Sequence, residues 1–148
     1  MAEFIIRPAV RDDFPAIRSL INTVHINPTG LDWRRFHVAI SLQKELLGCG
    51  QIKPHDDGSR ELASIAVDER ARGKGIAREI IMGLLARDTT RPIYLMCRAR
   101  LELFYTKFEF HIVTMKEMPP YFRHISRIVH LINRDAATED RLIVMRLD

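Results

Sequence analysis

The sequence predicts a mixed α/β fold, with strands and helices alternating along one domain. Three observations carry that prediction. Apolar runs rich in β-branched residues recur at strand length, as in Phe4-Ile5-Ile6 and Ile93-Tyr94-Leu95-Met96-Cys97. Other stretches space their apolar residues for a helix, as in Phe14, Ile17, Leu20, Ile21 and Val24. The stretch from Glu61 to Ile81, ELASIAVDERARGKGIAREII, joins a strand to a helix through a charged turn that holds two glycines.

Phe4-Ile5-Ile6-Arg7-Pro8 is a short strand stopped by proline. Asp12 or Asp13 can cap the helix that follows. Asn27-Pro28-Thr29-Gly30 is turn chemistry, and a brief helix is predicted over Leu31–Arg35. Phe36–Leu42 and Leu46–Lys53 read as an antiparallel hairpin joined by Gln43-Lys44-Glu45, after which Pro54–Ser59 is a plain loop. Leu62–Val67 is a buried strand. Ile76, Ile80, Ile81, Leu84 and Leu85 then give a helix of about three turns, ending near Asp88. Arg91-Pro92 leads into the strand Ile93–Cys97, which should lie parallel to its neighbour across that helix. A short helix before Phe110, a strand His111–Met115, a helix Tyr121–Asn133 and a last strand Leu142–Leu147 complete the series. The last helix should bury Phe122, Ile125, Ile128, Val129 and Ile132. No internal repeat or linker interrupts the chain, so residues 1–148 are read as one domain.

At 148 residues the chain can bury a real core, and 47% hydrophobic with 28% charged residues is ordinary for a soluble protein. No run reaches the length of a membrane span, and Met1-Ala2-Glu3-Phe4 lacks the features of a secretory signal, so a cytoplasmic protein with no membrane partner is expected. Cys49 and Cys97 are too few for a disulfide framework or a cysteine-only zinc site; both lie in apolar runs and read as buried free thiols, and no metal is expected. The net charge of +4 suits an anionic ligand, whether a phosphorylated cofactor or nucleic acid.

The turn Arg72-Gly73-Lys74-Gly75-Ile76-Ala77 narrows the choice of anion. Glycines there let successive N–H groups converge at the positive end of the helix, which suits a phosphate or pyrophosphate. A Walker loop would need Ser or Thr after Gly-Lys, and a dinucleotide fingerprint would need glycine where Arg78 stands. The spacing resembles the Arg/Gln-x-x-Gly-x-Gly/Ala signature of the GNAT superfamily of acetyl-CoA-dependent N-acetyltransferases, with Arg72, Gly75 and Ala77 in its fixed positions and Val67 where that family's strand ends. A second stretch, Phe104-Tyr105-Thr106-Lys107-Phe108-Glu109-Phe110, resembles the family's Phe/Leu-Tyr-x-Lys-x-Gly-Phe, with Glu109 in place of glycine. A non-glycine residue there bears a cost if the turn is left-handed.

The resemblance covers nearly the whole chain. It implies a mixed, mostly antiparallel central sheet flanked by helices and splayed between the strand ending at Val67 and the strand Ile93–Cys97. It also implies acetyl-CoA as co-substrate: its pantetheine arm would pair with Ile65, Ala66 and Val67, and its pyrophosphate would lie on the amides of Gly73, Lys74, Gly75, Ile76, Ala77 and Arg78. The reaction needs a base, because an alkyl amine with pKa near 10.4 is only about one part in a thousand neutral at pH 7. Glu61 stands where some GNAT enzymes carry a glutamate base, and strand alternation puts it on the face of Ala63, Ile65 and Val67 unless a bulge intervenes. His55 is a weaker rival, and Met96 stands where other members place a second acidic group. Tyr105 is the candidate acid for the leaving thiolate, and N–H groups near Ile65 or Ala66 are candidates for the oxyanion site.

The resemblance implies a primary amine as acceptor, expected on a small molecule such as an amino acid. Outline similarity of the Glu61–Val67 strand and of Met118-Pro119-Pro120 to glutamate-acting GNAT domains points that way, and Lys53, Arg98, Arg100 and Arg123 are candidate carboxylate binders. A peptide or protein acceptor and a non-catalytic acyl-CoA sensor remain as alternatives. The oligomeric state is open, a homodimer included. Nucleic acid is disfavoured: Arg123, His124, Arg127, His130 and Arg134 read as the wet side of an amphipathic helix.

Overall fold

The computed structural model describes residues 3–148; Met1 and Ala2, part of the start read above for a signal, lie outside them. The described chain forms two compact units. One runs to Lys53 and resumes over Leu62–Thr89; the other holds Pro54–Glu61 and Thr90–Asp148.

In the first unit β1 (Phe4–Pro8) pairs antiparallel with β2 (Phe36–Ser41), and β2 with β3 (Leu46–Pro54). The β2–β3 turn is the predicted one: Ser41 N–H donates to Glu45 O at 2.8 Å, and Lys44 takes the left-handed conformation at φ 65°. Helix α1 (Phe14–Thr23) buries Ile17, Leu20 and Ile21 in a cluster with Phe36, Val38, Ile40, Cys49 and Ala66. Asp13 stands at its N-cap position but does not cap it. Its carboxylate instead takes the Val10 N–H at 2.7 Å and the Arg7 guanidinium at 2.7 and 3.1 Å, partners that a charged acceptor satisfies more strongly. The predicted helix over Leu31–Arg35 shrinks to a 3-10 turn, Trp33–Arg35, whose Arg34 N–H is taken by Asp32.

Strand β4 (Arg60–Val67) leads to α2 (Ile76–Arg87), which buries Ile76, Ile80, Ile81 and Leu84. Two glycines of β3 let this helix come close. A β-carbon on Gly48 would stand 2.7 Å from Ile76 Cγ2, and one on Gly50 would stand 2.5 Å from Ile65 Cδ1 and 3.0 Å from Ile80 Cγ2.

The second unit contains β5 (Ile93–Arg98), α3 (Glu102–Thr106), β6 (His111–Ile112), α4 (Pro120–Ile132) and β7 (Leu142–Leu147). β7 pairs antiparallel with both β5 and β6, and its core gathers Tyr94, Val113, Met118, Phe122 and Val144. The strand expected over His111–Met115 stops at Ile112. Thr114 then opens a 3-10 turn, its N–H and hydroxyl both held by the Glu117 carboxylate at 2.9 and 3.0 Å. α4 buries Phe122 and Ser126, while Ile128 and Ile132 of its expected inner face are 41% and 72% exposed.

The seven strands run in the order β1-β2-β3-β4-β5-β7-β6, a mixed and mostly antiparallel sheet. β4 and β5 are parallel and register at Glu61↔Tyr94, both residues of the second unit.

Candidate active site

The turn after β4 is built to bare backbone. Asp68 N–H donates to Leu47 O at 2.8 Å, and the Asp68 carboxylate takes the Arg70 N–H at 3.1 Å, which starts a 3-10 turn over Glu69–Ala71. Arg72 is extended; Gly73 and Gly75 are left-handed at φ 82° and 79°. A β-carbon at either glycine would meet nothing within 4 Å, so the conformation, not crowding by the protein, demands glycine here. Gly75 is the N-cap of α2 and offers no side chain to it. The amides of Ile76, Ala77 and Arg78 therefore have no intrahelical acceptor, and they stand at the positive end of the helix dipole. Lys74 Nζ lies 3.1 Å from Glu3 Oε2, and Arg72 also lines a cleft of about 370 Å³ with Ser19, Thr23 and Asp68. Free amides at the positive end of a helix are chemically suited to an anion such as phosphate.

Upstream, Ser64 sits inside β4 at φ 59°. A left-handed residue in a strand marks a bulge, so the alternation that carries Glu61's face to Ala63 does not carry it to Ile65 and Val67. Gln51 Nε2 donates to Ser64 Oγ at 2.9 Å. Beyond the bulge Ile65 packs towards Gly50, and Ala66 joins the α1 cluster.

Glu61 is 8% exposed and bound to His55 Nε2 at 2.8 Å. The loop Pro54–Ser59 is therefore not plain. His55 N–H donates to Ser59 O at 2.8 Å, folding the loop back, and the imidazole stacks on Tyr121 at 3.6 Å and 17° with its edge towards Phe122. Asp57 accepts the Tyr121 N–H at 2.9 Å at the start of α4, tying the same loop down a second time. Burial and the nearby Glu61 raise the Tyr121 phenol. Sequence reading gave His55 a minor place; its spacing from Glu61 across a Gly-containing loop was the available signal.

Tyr105, on α3, is 8% exposed and packs edge-on against Phe104 and Phe110. Burial, then Cys97, raises its hydroxyl above the ordinary phenol range. Burial also pushes the Cys97 and Cys49 thiols up to about 12. Glu109 occupies a left-handed turn at φ 73°, the conformation for which the sequence comparison expects glycine. Three candidate carboxylate binders are engaged elsewhere: Arg98 with Asp140 O at 2.8 Å, Arg100 with the Asp140 carboxylate, and Arg123 with Met115 O and Met118 O.

No helix among the described residues is long and apolar enough to cross a membrane. Comparison with curated proteins finds no match. Among solved structures, the N-acetylglutamate synthase of Neisseria gonorrhoeae, complexed with coenzyme A and N-acetyl-glutamate, superposes with TM-score 0.74 at 17% identity, over 99% of this chain and 35% of that one. This chain thus spans about a third of that enzyme. Rv2747 of Mycobacterium tuberculosis, also complexed with coenzyme A, gives TM-score 0.70 at 23% identity over 97% and 98% of the two chains. Escherichia coli ElaA gives 0.67 at 18% over the full length of both. At these identities the likeness concerns the fold. The family model described as an acetyltransferase (GNAT) domain matches residues 32–112, more than half of the sequence, and the chain belongs to the GNAT acetyltransferase family.

Proposed function

We propose that this protein is an acetyl-CoA-dependent N-acetyltransferase, that residues 1–148 work as one domain, and that the acetyl group passes directly to a primary amine in a ternary complex. The observation that carries the reading is the pair of left-handed glycines, Gly73 and Gly75, ahead of uncapped amides at the start of α2. In this reading the pyrophosphate of coenzyme A takes the amides from Gly73 to Arg78, with Arg72 leading in, and the pantetheine arm runs along Ile65–Val67.

Glu61 is the base that removes the amine's proton. His55 holds its carboxylate and offers the proton a second stop. Amides near Ile65 and Ala66 receive the charge that develops on the carbonyl oxygen. Tyr105 returns a proton to the leaving thiolate. Its raised pKa fits that step, because a thiolate forming away from water is raised in the same sense. The acceptor is a small amine such as an amino acid, a class supported by the likeness to the N. gonorrhoeae enzyme, whose structure holds N-acetyl-glutamate.

The test is free-thiol release from acetyl-CoA with amino acids, polyamines, aminoglycosides and peptides as acceptors, alongside calorimetric titration with coenzyme A. Binding together with release for at least one small amine is the expected result. Binding without release for any acceptor would leave a coenzyme A-binding module in place of an enzyme.

A further inference from the structure

Lys53 is a lysine with a buried stem that the chemistry above does not use. It ends β3 with 7% exposure, and among the described residues no carboxylate or hydrogen-bonding acceptor lies within reach of its ammonium. Its stem lies buried while its ammonium reaches the surface, so the charge is open to an anionic group from outside the protein. Two residues earlier, on the same face of β3, stands Gln51. It is fully buried; its Nε2 donates to Gly30 O at 3.2 Å and to Ser64 Oγ at 2.9 Å, and its Oε1 has no partner. Both side chains converge on Gly30, where a β-carbon would stand 3.4 Å from Lys53 Nζ. An unpaired ammonium beside an orphaned buried acceptor is complementary to a molecule that presents a carboxylate and an N–H together.

The geometry points to a carboxylate subsite at Lys53, with Gln51 Oε1 receiving an N–H of the same ligand, so that the acceptor is an amino acid or a closely similar carboxylate-bearing amine. The inference rests on the acetyltransfer reading only for calling that ligand the acceptor. Ser64, which fixes the Gln51 amide, immediately precedes the Ile65–Val67 segment assigned to the thioester arm. Of the four cationic candidates, Lys53 alone among them is left without a protein partner.

Calorimetry on the full chain loaded with coenzyme A would compare each L-amino acid with its α-amide, and glutamate and aspartate with glutamine and asparagine. At least one acid should bind about 10- to 100-fold more tightly than its neutral counterpart, the range for hydrogen bonds to charged groups. Lys53→Met should erase that preference with coenzyme A affinity unchanged, and Lys53→Arg should restore part of it. Gln51→Glu, which sets a competing carboxylate beside the ammonium, should erase it too and serves if Lys53→Met does not fold. Equal binding of acid and amide across the panel, or a preference that survives these variants, overturns the subsite. Acids bound with this preference but never acetylated would uphold the subsite and refute the acetyltransfer reading. Turnover of amines with no acid preference would do the opposite.

Discussion

At the turn after β4 the protein presents backbone; around Glu61 it presents side chains. Gly73 and Gly75 contribute only their conformation, and the groups they leave bare are amides whose direction is set by the helix behind them. Glu61 instead depends on a chain of contacts: its carboxylate on His55, the imidazole on the ring of Tyr121, and the Tyr121 backbone on Asp57. Backbone sites tolerate change in most neighbouring side chains but not in the residues that set φ. Side-chain sites fail in graded steps, according to how far the altered group lies from the reacting atoms.

That contrast can be broken or sharpened by substitution. Gly75→Val should do most damage: it adds about 1–2 kcal/mol of left-handed strain and withdraws amide bonds to charge worth about 1.5–3 kcal/mol each. Coenzyme A affinity should fall about 1000-fold by calorimetry, and a loss below tenfold would remove the backbone from the binding account. Tyr105→Phe and Glu61→Gln should each lower kcat about 100-fold, the usual scale for a lost general acid or base, with coenzyme A affinity held. Unaltered turnover in either variant takes that residue out of the mechanism. His55→Gln should cost about tenfold, because one hydrogen bond to a charged group is lost while Glu61 remains. A deficit as large as that of Glu61→Gln would make His55 the base itself. Least affected is Glu109→Gly, which relieves a left-handed residue at φ 73° and should raise stability by about 1 kcal/mol after glycine's greater freedom in the unfolded chain is deducted, read as an upward shift in Tm.

Legibility in the sequence followed the same division. The glycine turn and its helix could be read because their conformation is encoded within a few neighbouring residues, and the helix begins at Ile76 and ends one residue before the predicted limit. Glu109 was readable as a departure from the expected glycine, and the left-handed turn there shows what the departure costs. The His55–Glu61 contact was not readable, because it depends on a loop folding back on itself and on Tyr121 from a helix far along the chain. β7 lying between β5 and β6 was likewise hidden, since strand neighbours are chosen by non-local pairing. The bulge at Ser64 defeated strict alternation in a strand whose composition gives no sign of one. α4 has a clear helical pattern, but a pattern names a face without saying how much of it will be covered, and Ile128 and Ile132 are not.

The two cysteines bear on fidelity. With thiols pushed up to about 12, roughly one molecule in a hundred thousand carries a given thiolate at pH 7. A protein that handles an activated thioester risks capturing the acyl group on its own sulfur by exchange. In the proposed reaction that side reaction would have almost no nucleophile to start it, so an acetyl group would stay on its carrier until an amine arrived.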